Sequence, residues 1–356
     1  MASSDGKHEA LQPIHPSMAG KLDPVFEKLY NDNVANTPLE PIDLALLRSK
    51  YSVLYSYGTG PAPDVGHIYD EQIPLDDGTD TTTRLNVRVY EPDSEGPWPV
   101  HIDYHGGGWG LGDLDTESHI CRHICQKANV VVIDVDYRLV PEHAFPVGIT
   151  DGFAALKHIH ARGAQRFNIK PDSISLGGVS AGACIALALA HLARDNEPTP
   201  IPIRLVAAGT PVVDDLSQYS SASDSPFPSM RENEWAPTLN WARLAWFDKL
   251  KWSSLLLPAD PAGHRAAREK VAWFANLLRA PNFRNLPKTV IYTAGADPLR
   301  DEGERYANLL VENGVEVTMK RFPGVPHPFM HMDKHLWQAR EFIDKTAREI
   351  RIALHE

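Results

Sequence analysis

The chain has 356 residues, 43% hydrophobic and 23% charged, the profile of a globular protein long enough for a large core. Its formal charge is −11 and no Lys/Arg run exceeds two residues, which leaves no electrostatic footprint for nucleic acid. Residues 1–20 contain no apolar leader-like run, nowhere is there an apolar stretch long enough to span a bilayer, and Cys121, Cys125 and Cys184 are too sparse for a disulfide framework. The expectation is a cytoplasmic protein with no membrane partner.

Along the chain, the polar, proline-bearing segment 1–55 carries helical patterns at Val25–Tyr30 and Pro41–Tyr51. β-rich runs at 67–74 and 84–91 are joined by the turn-forming Asp76-Asp77-Gly78-Thr79-Asp80 and should pair antiparallel. Further runs at 98–104, 129–135, 173–178, 202–208, 288–294 and 315–322 alternate with helical patterns at 117–127, 149–162, 181–194, 301–313 and 334–354. That alternation predicts an α/β fold: an eight-stranded, mostly parallel, doubly wound sheet flanked by helices. The helix at 117–127 holds His119, Cys121, His123 and Cys125, which tempt a metal reading. However, Ile120, Cys121, Ile124 and Cys125 form one apolar stripe, so core packing is favoured and no metal is expected.

Two segments stand outside the alternation, 1–55 and about 214–280. The second contains five of the eight tryptophans, Trp235, Trp241, Trp246, Trp252 and Trp273, with Phe227, Phe247 and Phe274. Such rings either pack a helical pair onto the core or line a cap above a substrate pocket, and both uses are expected for different rings. Trp241 and Trp246 are taken as candidate pocket residues. The expected division is 1–55 and 214–280 as the two parts of a helical cap, with 56–213 and 281–356 as the two parts of the core.

The chemistry is concentrated in four short motifs. Gly178-Val179-Ser180-Ala181-Gly182 lies between an apolar run and an Ala-rich helical pattern, so Ser180 sits at a sharp strand-to-helix turn that exposes its hydroxyl. A lone G-x-S-x-G is weak, but His105-Gly106-Gly107-Gly108-Trp109 also ends a predicted strand, as an oxyanion-binding loop should. Backbone N–H groups of Gly107, Gly108 and Ala181 are the expected donors; His105 should brace the loop, and Trp109 and Val179 are candidate pocket wall. Acyl transfer also needs a base and a group to orient it, on loops after later strands in the order Ser, Asp/Glu, His. Asp297, before Pro298 at the end of the seventh strand, and His327, between Pro326 and Pro328 after the eighth, are the candidates. Asp301 and Glu302 read as first-turn residues of the next helix. His331 and His335 read as part of the helix that follows His327.

These motifs, together with Asp136-Tyr137-Arg138-Leu139-Val140-Pro141-Glu142-His143 and Asp297-Pro298-Leu299-Arg300-Asp301-Glu302, resemble the hormone-sensitive-lipase-like branch of the α/β-hydrolases. That group includes bacterial short-chain esterases, arylacetamide deacetylases, plant carboxylesterases and fungal esterases of secondary metabolism. The resemblance runs from about 98 to 330. It implies the α/β-hydrolase fold, a cap built from N-terminal helices and an insertion after the sixth strand, and hydrolysis of short- to medium-chain acyl esters without metal or cofactor. Val179 stands where many relatives have Asp, and Pro328 where many have Gly; both departures bear on substrate choice rather than on a reacting group.

The leading reading is a serine carboxylesterase acting on a small-molecule ester through an acyl-serine intermediate. A biosynthetic relative that uses the same acyl-serine for lactonisation, thioester release or acyl transfer is the second. A third is a non-catalytic small-molecule receptor of the kind represented by the plant gibberellin receptors, which lack a working histidine. The resemblance also suggests a homodimer through the edge strand at 315–322.

Overall fold

The structure is a computed structural model that describes residues 11–37, 43–54, 56–75, 83–253, 269 and 271–356. Its centre is an eight-stranded sheet in the order β1-β2-β4-β3-β5-β6-β7-β8. The strands are β1 (His67–Pro74), β2 (Arg84–Glu91), β3 (Trp98–Tyr104), β4 (Val131–Val135), β5 (Ile169–Val179), β6 (Ile203–Gly209), β7 (Lys288–Ala294) and β8 (Val317–Phe322). As expected, β1 and β2 pair antiparallel, from His67 opposite Glu91 to Pro74 opposite Arg84, and β3 through β8 are parallel. The turn residues Asp76–Asp80 lie outside the described residues.

Burial follows from position in the sheet. All of β4 is buried, because helices cover both faces of a central parallel strand. β8, at the edge, buries only Phe322 fully. On one face, α4 (Val147–Arg166), α5 (Ala181–Arg194) and α8 (Arg300–Glu312) enclose the larger apolar cluster with Ile102, Leu176 and Ile291. On the other, α3 (Ser118–Ala128) and α9 (Trp337–His355) pack through Ile120, Cys121, Ile124 and Cys125 against Phe342, Ile343 and Ile350. The apolar stripe of α3 is therefore core. All three cysteines are free and buried.

Boundaries moved where the backbone required it. The fourth strand starts at Val131 rather than 129, because Asn129 takes a left-handed conformation (φ 55°) that closes α3. The fifth begins earlier than 173, with Ile169 beside Trp98. The last helix starts at Trp337. Before it the chain is tied in turns, His331 closing a 3₁₀ turn (Phe329–His331) and His335 N–H bonded to the Met332 carbonyl, so neither histidine is on that helix.

The two segments outside the alternation contribute short helices, α1 (Pro24–Tyr30), α2 (Leu44–Lys50), α6 (Pro228–Glu232) and α7 (Trp241–Ser253). Asp23 and Asp43 cap the first two by accepting the Val25 and Leu46 N–H groups. The segments meet each other: His15 stacks on Trp235 with ring centroids 4.7 Å apart, and Lys21 donates to the Glu232 carbonyl. Pro41 and residues 254–268 lie outside the described residues. Among those described, no helix is long and apolar enough to cross a membrane.

Candidate active site

Parallel topology gathers the ends of β3, β5, β7 and β8 along one edge of the sheet, where ligands of open α/β sheets bind. Ser180 follows β5 directly with φ 58° and ψ −118°. This strained turn is fixed by Ser180 N–H on the Gly209 carbonyl at 2.8 Å and by Cys184 N–H on the Ser180 carbonyl at 3.0 Å. Gly182 is needed because a Cβ there would overlap the Tyr104 and His105 carbonyls. Thus β3, which leads into the glycine loop, packs directly on the elbow.

The loop after β3 has Gly107 at φ 124° and Gly108 at φ 58°, both left-handed, and a Cβ on Gly107 would strike the Leu111 carbonyl. His105 is fully buried. Its Nδ1 donates to the Gly106 carbonyl at 2.8 Å, its ring stacks on Tyr137 at 4.3 Å, and the Tyr137 hydroxyl donates to the His105 carbonyl at 2.8 Å. Burial pushes the His105 imidazole toward the neutral form. Arg138, next to Tyr137, is held by Asp151 through its backbone N–H at 3.0 Å and its guanidinium at 2.7 Å. Arg48 of α2 reaches the same loop, donating to the Gly110 and Val140 carbonyls at 2.8 Å each and pairing with Glu142, whose carboxyl this hydrogen bond lowers to about 2.

Asp297 and His327 meet: Nδ1 of His327 is 2.8 Å from Oδ2 of Asp297, with both side chains buried. The other carboxylate oxygen, Oδ1, accepts the Leu299 N–H at 2.9 Å. The loop carrying Asp297 is gripped from the insertion by groups the sequence reading had not singled out. Asn233 donates to the Asp297 carbonyl at 3.0 Å, Ser229 Oγ to the Pro298 carbonyl at 2.7 Å, and Ser229 N–H to Asp301 at 2.7 Å. Asp301 and Glu302 do lie in the first turn of α8. Yet Glu302 is a buried clamp, accepting the Val213 and Asp214 N–H groups at 2.8 and 3.1 Å, and burial beside Asp214 drives its carboxyl well above the usual range. The His327 loop is held from the N-terminal segment by Asp23 N–H on the Gly324 carbonyl at 2.7 Å.

The expected pocket residues are placed less uniformly. Trp109 is 6% exposed and packs edge-on against Phe145 at 5.7 Å, within the larger core cluster. Val179 is also 6% exposed; it lines a small internal cavity with His101, Asp103 and Glu117 and contributes to the core. Trp241 joins a separate apolar cluster with Leu239, Leu244 and Leu299, while Trp246 packs edge-on against Phe247 at 5.0 Å. The α7 side chains that press on the glycine loop are Phe247, whose ring fills the space a Gly108 Cβ would take, and Leu250, which does so at Gly110. Helical spacing from Trp246 could not pick them out, since nearly every second residue of α7 is apolar. Trp252 and Trp273 pack on the core through Phe145 and His191.

Comparison with known proteins agrees with this architecture. Residues 101–331 match the family described by the α/β hydrolase fold. The chain is 32% identical over 97% of its length, and 97% of the relative's, to an AB hydrolase superfamily protein of Schizosaccharomyces pombe. It is 35% identical over 78% of its length and 81% of the relative's to the carboxylesterase NlhH of Mycobacterium tuberculosis. Among solved structures, the hyperthermophilic esterase of the archaeon Pyrobaculum calidifontis superposes with a TM-score of 0.77 at 28% identity, covering 94% of this chain and 99% of that one.

Proposed function

Because this chain belongs to the α/β-hydrolase family, we propose that it is a serine carboxylesterase that hydrolyses short- to medium-chain or aryl esters through an acyl-serine intermediate. The observation that carries this reading is the buried His327–Asp297 pair at 2.8 Å, on the same sheet edge as the strained Ser180 turn. Donation from Nδ1 to the carboxylate leaves Nε2 of His327 as the acceptor for the Ser180 hydroxyl proton. Attack on the ester carbonyl then places negative charge on its oxygen, which the Gly107, Gly108 and Ala181 N–H groups receive. His327 returns the proton to the departing alcohol, and a water activated by the same imidazole releases the acid.

Segments 1–55 and 214–280 act as the specificity cap, a reading supported by their mutual contacts at His15–Trp235 and by their grip on the Gly108, Asp297 and His327 loops. The chemistry asks for no metal or cofactor. Three buried free thiols fit a reducing, cytoplasmic setting. A homodimer through β8 is supported by its edge position and by Met319 and Trp337, 46% and 47% exposed. An intact His327–Asp297 pair weighs against a receptor that has lost its base.

The test is a panel of p-nitrophenyl and aryl esters with a fluorophosphonate probe. Labelling should fall on Ser180 and vanish in Ser180→Ala, while His327→Ala and Asp297→Asn should each lower kcat on the order of 10⁴-fold. Turnover that survives Ser180→Ala, or labelling of another serine, refutes the assignment.

A further inference from the structure

A buried carboxyl stands where the glycine loop and the His327 turn come together, and the reaction described above gives it no role. Glu117 occupies the N-cap position of α3 but makes no side-chain bond to that helix. A capping side chain ordinarily satisfies a first-turn N–H, and Glu is not among the residues favoured there. Instead the side chain turns toward the glycine loop. Its Oε1 accepts the Gly106 N–H at 3.3 Å, and its Oε2 lies 3.6 Å from Nε2 of His331.

Both neighbours belong to segments that carry reacting groups. Gly106 passes so close to the elbow that a Cβ on it would be 3.2 Å from the Val179 carbonyl and 3.6 Å from Cβ of Ser180. His331 closes the 3₁₀ turn just after His327. Asp103 and Asp134 face Glu117 from the sheet, Cys121 from α3, Tyr137 from the segment after β4, and His331 from the turn beyond His327, with His119 and Asp333 ranged behind His331. Glu117 is 1% exposed, and burial, reinforced by Asp103, raises its carboxyl to about 8. Burial thus favours the neutral carboxyl at pH 7, with Oε1 still available to the Gly106 N–H.

A run of three glycines cannot be fixed by its own side chains, so its peptide orientations depend on bonds made to them from outside. We propose that Glu117 is a positioning residue for the oxyanion loop, holding the Gly106 peptide so that the Gly107 and Gly108 N–H groups stay in register with the Ser180 turn and the His327 loop. The inference rests on the reading of those N–H groups as oxyanion donors. Glu117 touches no substrate; it acts through the loop.

The experiment compares the full-length protein with Glu117→Ala and Glu117→Gln, measuring kcat and KM on p-nitrophenyl butyrate and amide hydrogen exchange by mass spectrometry. Glu117→Ala should lower kcat roughly 30- to 100-fold with KM changed less than about threefold, because a misaligned donor is missed mainly in the transition state. Exchange should rise in peptides covering 105–109 while β4 and α5 stay protected. Glu117→Gln, which keeps a carbonyl oxygen for Gly106, should recover most of the loss in both readouts. Native kcat and exchange in Glu117→Ala, a Gln variant as slow as the Ala variant, or exchange that rises equally throughout the chain would each overturn the proposal. If the wild type hydrolyses no ester, the function reading falls by itself, and the exchange arm still decides whether Glu117 holds the loop.

Discussion

Replacing Phe247 with Ala should lengthen the acyl chain the protein prefers. The Phe247 ring rests on Gly108 so closely that a Cβ there would overlap it. An ester carbonyl oxygen accepting the Gly108 N–H must sit about 3 Å from that nitrogen, so the part of the substrate rising from the carbonyl toward α7 meets the ring first. Removing the phenyl group opens this space, and each added methylene that fills it is worth about 0.8 kcal/mol. Two methylenes then give about 1.6 kcal/mol, or roughly a 15-fold change in selectivity. The assay is kcat/KM for p-nitrophenyl butyrate and hexanoate, in which the hexanoate-to-butyrate ratio should rise by up to that factor. Stability should fall by about 1–2 kcal/mol, less than for a fully buried Phe, because the ring is only half-buried. A folded Phe247→Ala protein with an unchanged acyl-length profile would show that α7 does not bound the acyl site.

Glu117→Gln should stabilise the protein by an amount that grows with pH. The folded-state pKa is raised to about 8 from 4.5, so between these values the folded chain holds a proton that the unfolded chain has released, and stability falls as pH rises. Gln lacks this penalty, and its advantage over Glu should be absent below pH ~4.5, reach roughly 3 kcal/mol by pH 7 and level off above ~8; urea unfolding of both proteins across this range checks it, and a pH-independent difference contradicts it. Arg48→Ala should lower kcat/KM roughly 3- to 30-fold by freeing the Gly110 and Val140 carbonyls from the N-terminal segment. Arg48→Lys should not restore it, since a single ammonium cannot reproduce the guanidinium fork that serves two carbonyls and Glu142 together, and full activity in the Lys variant would refute that account.

Local pattern carried most of the fold. Val131–Val135 reads as a buried strand because every residue is apolar or, at Asp134, flanked by apolar neighbours, and α3 reads as amphipathic because Ile120, Cys121, Ile124 and Cys125 recur at helical spacing. The groups proposed to react stand out in the sequence for a related reason. A serine between glycines needs an unusual φ, and a histidine between prolines after the last strand cannot continue a ladder, so both leave marks within a few residues. Boundaries were missed where the deciding feature was one backbone conformation, as with the left-handed Asn129. The α7 side chains that press on the glycine loop, Phe247 and Leu250, were not picked out because α7 is apolar around much of its circumference. Trp241 and Trp246 are larger than Phe247, but size does not reveal which ring faces Gly108.

The groups that hold the site together were invisible for a different reason: each is a polar side chain whose partner is a backbone group of a distant segment. Arg48 bonds to Gly110 and Val140, Asn233 to Asp297, Glu302 to Val213 and Asp214, and Glu117 to Gly106. A backbone acceptor or donor carries no residue-type signal, so no spacing rule connects the two ends of such a bond. Their energetic weight is nonetheless high, because several of these groups are buried and a buried polar atom left unpaired costs about 1–3 kcal/mol. The glycine loop, the Ser180 turn and the Asp297 loop are rich in small or strained residues that cannot anchor themselves by packing. Their placement therefore falls to polar clamps from α2, α3, the insertion and α8. On this account substitutions at the clamps should reduce kcat more than they disturb substrate binding, because they move donors and the base relative to one another while leaving the apolar walls in place.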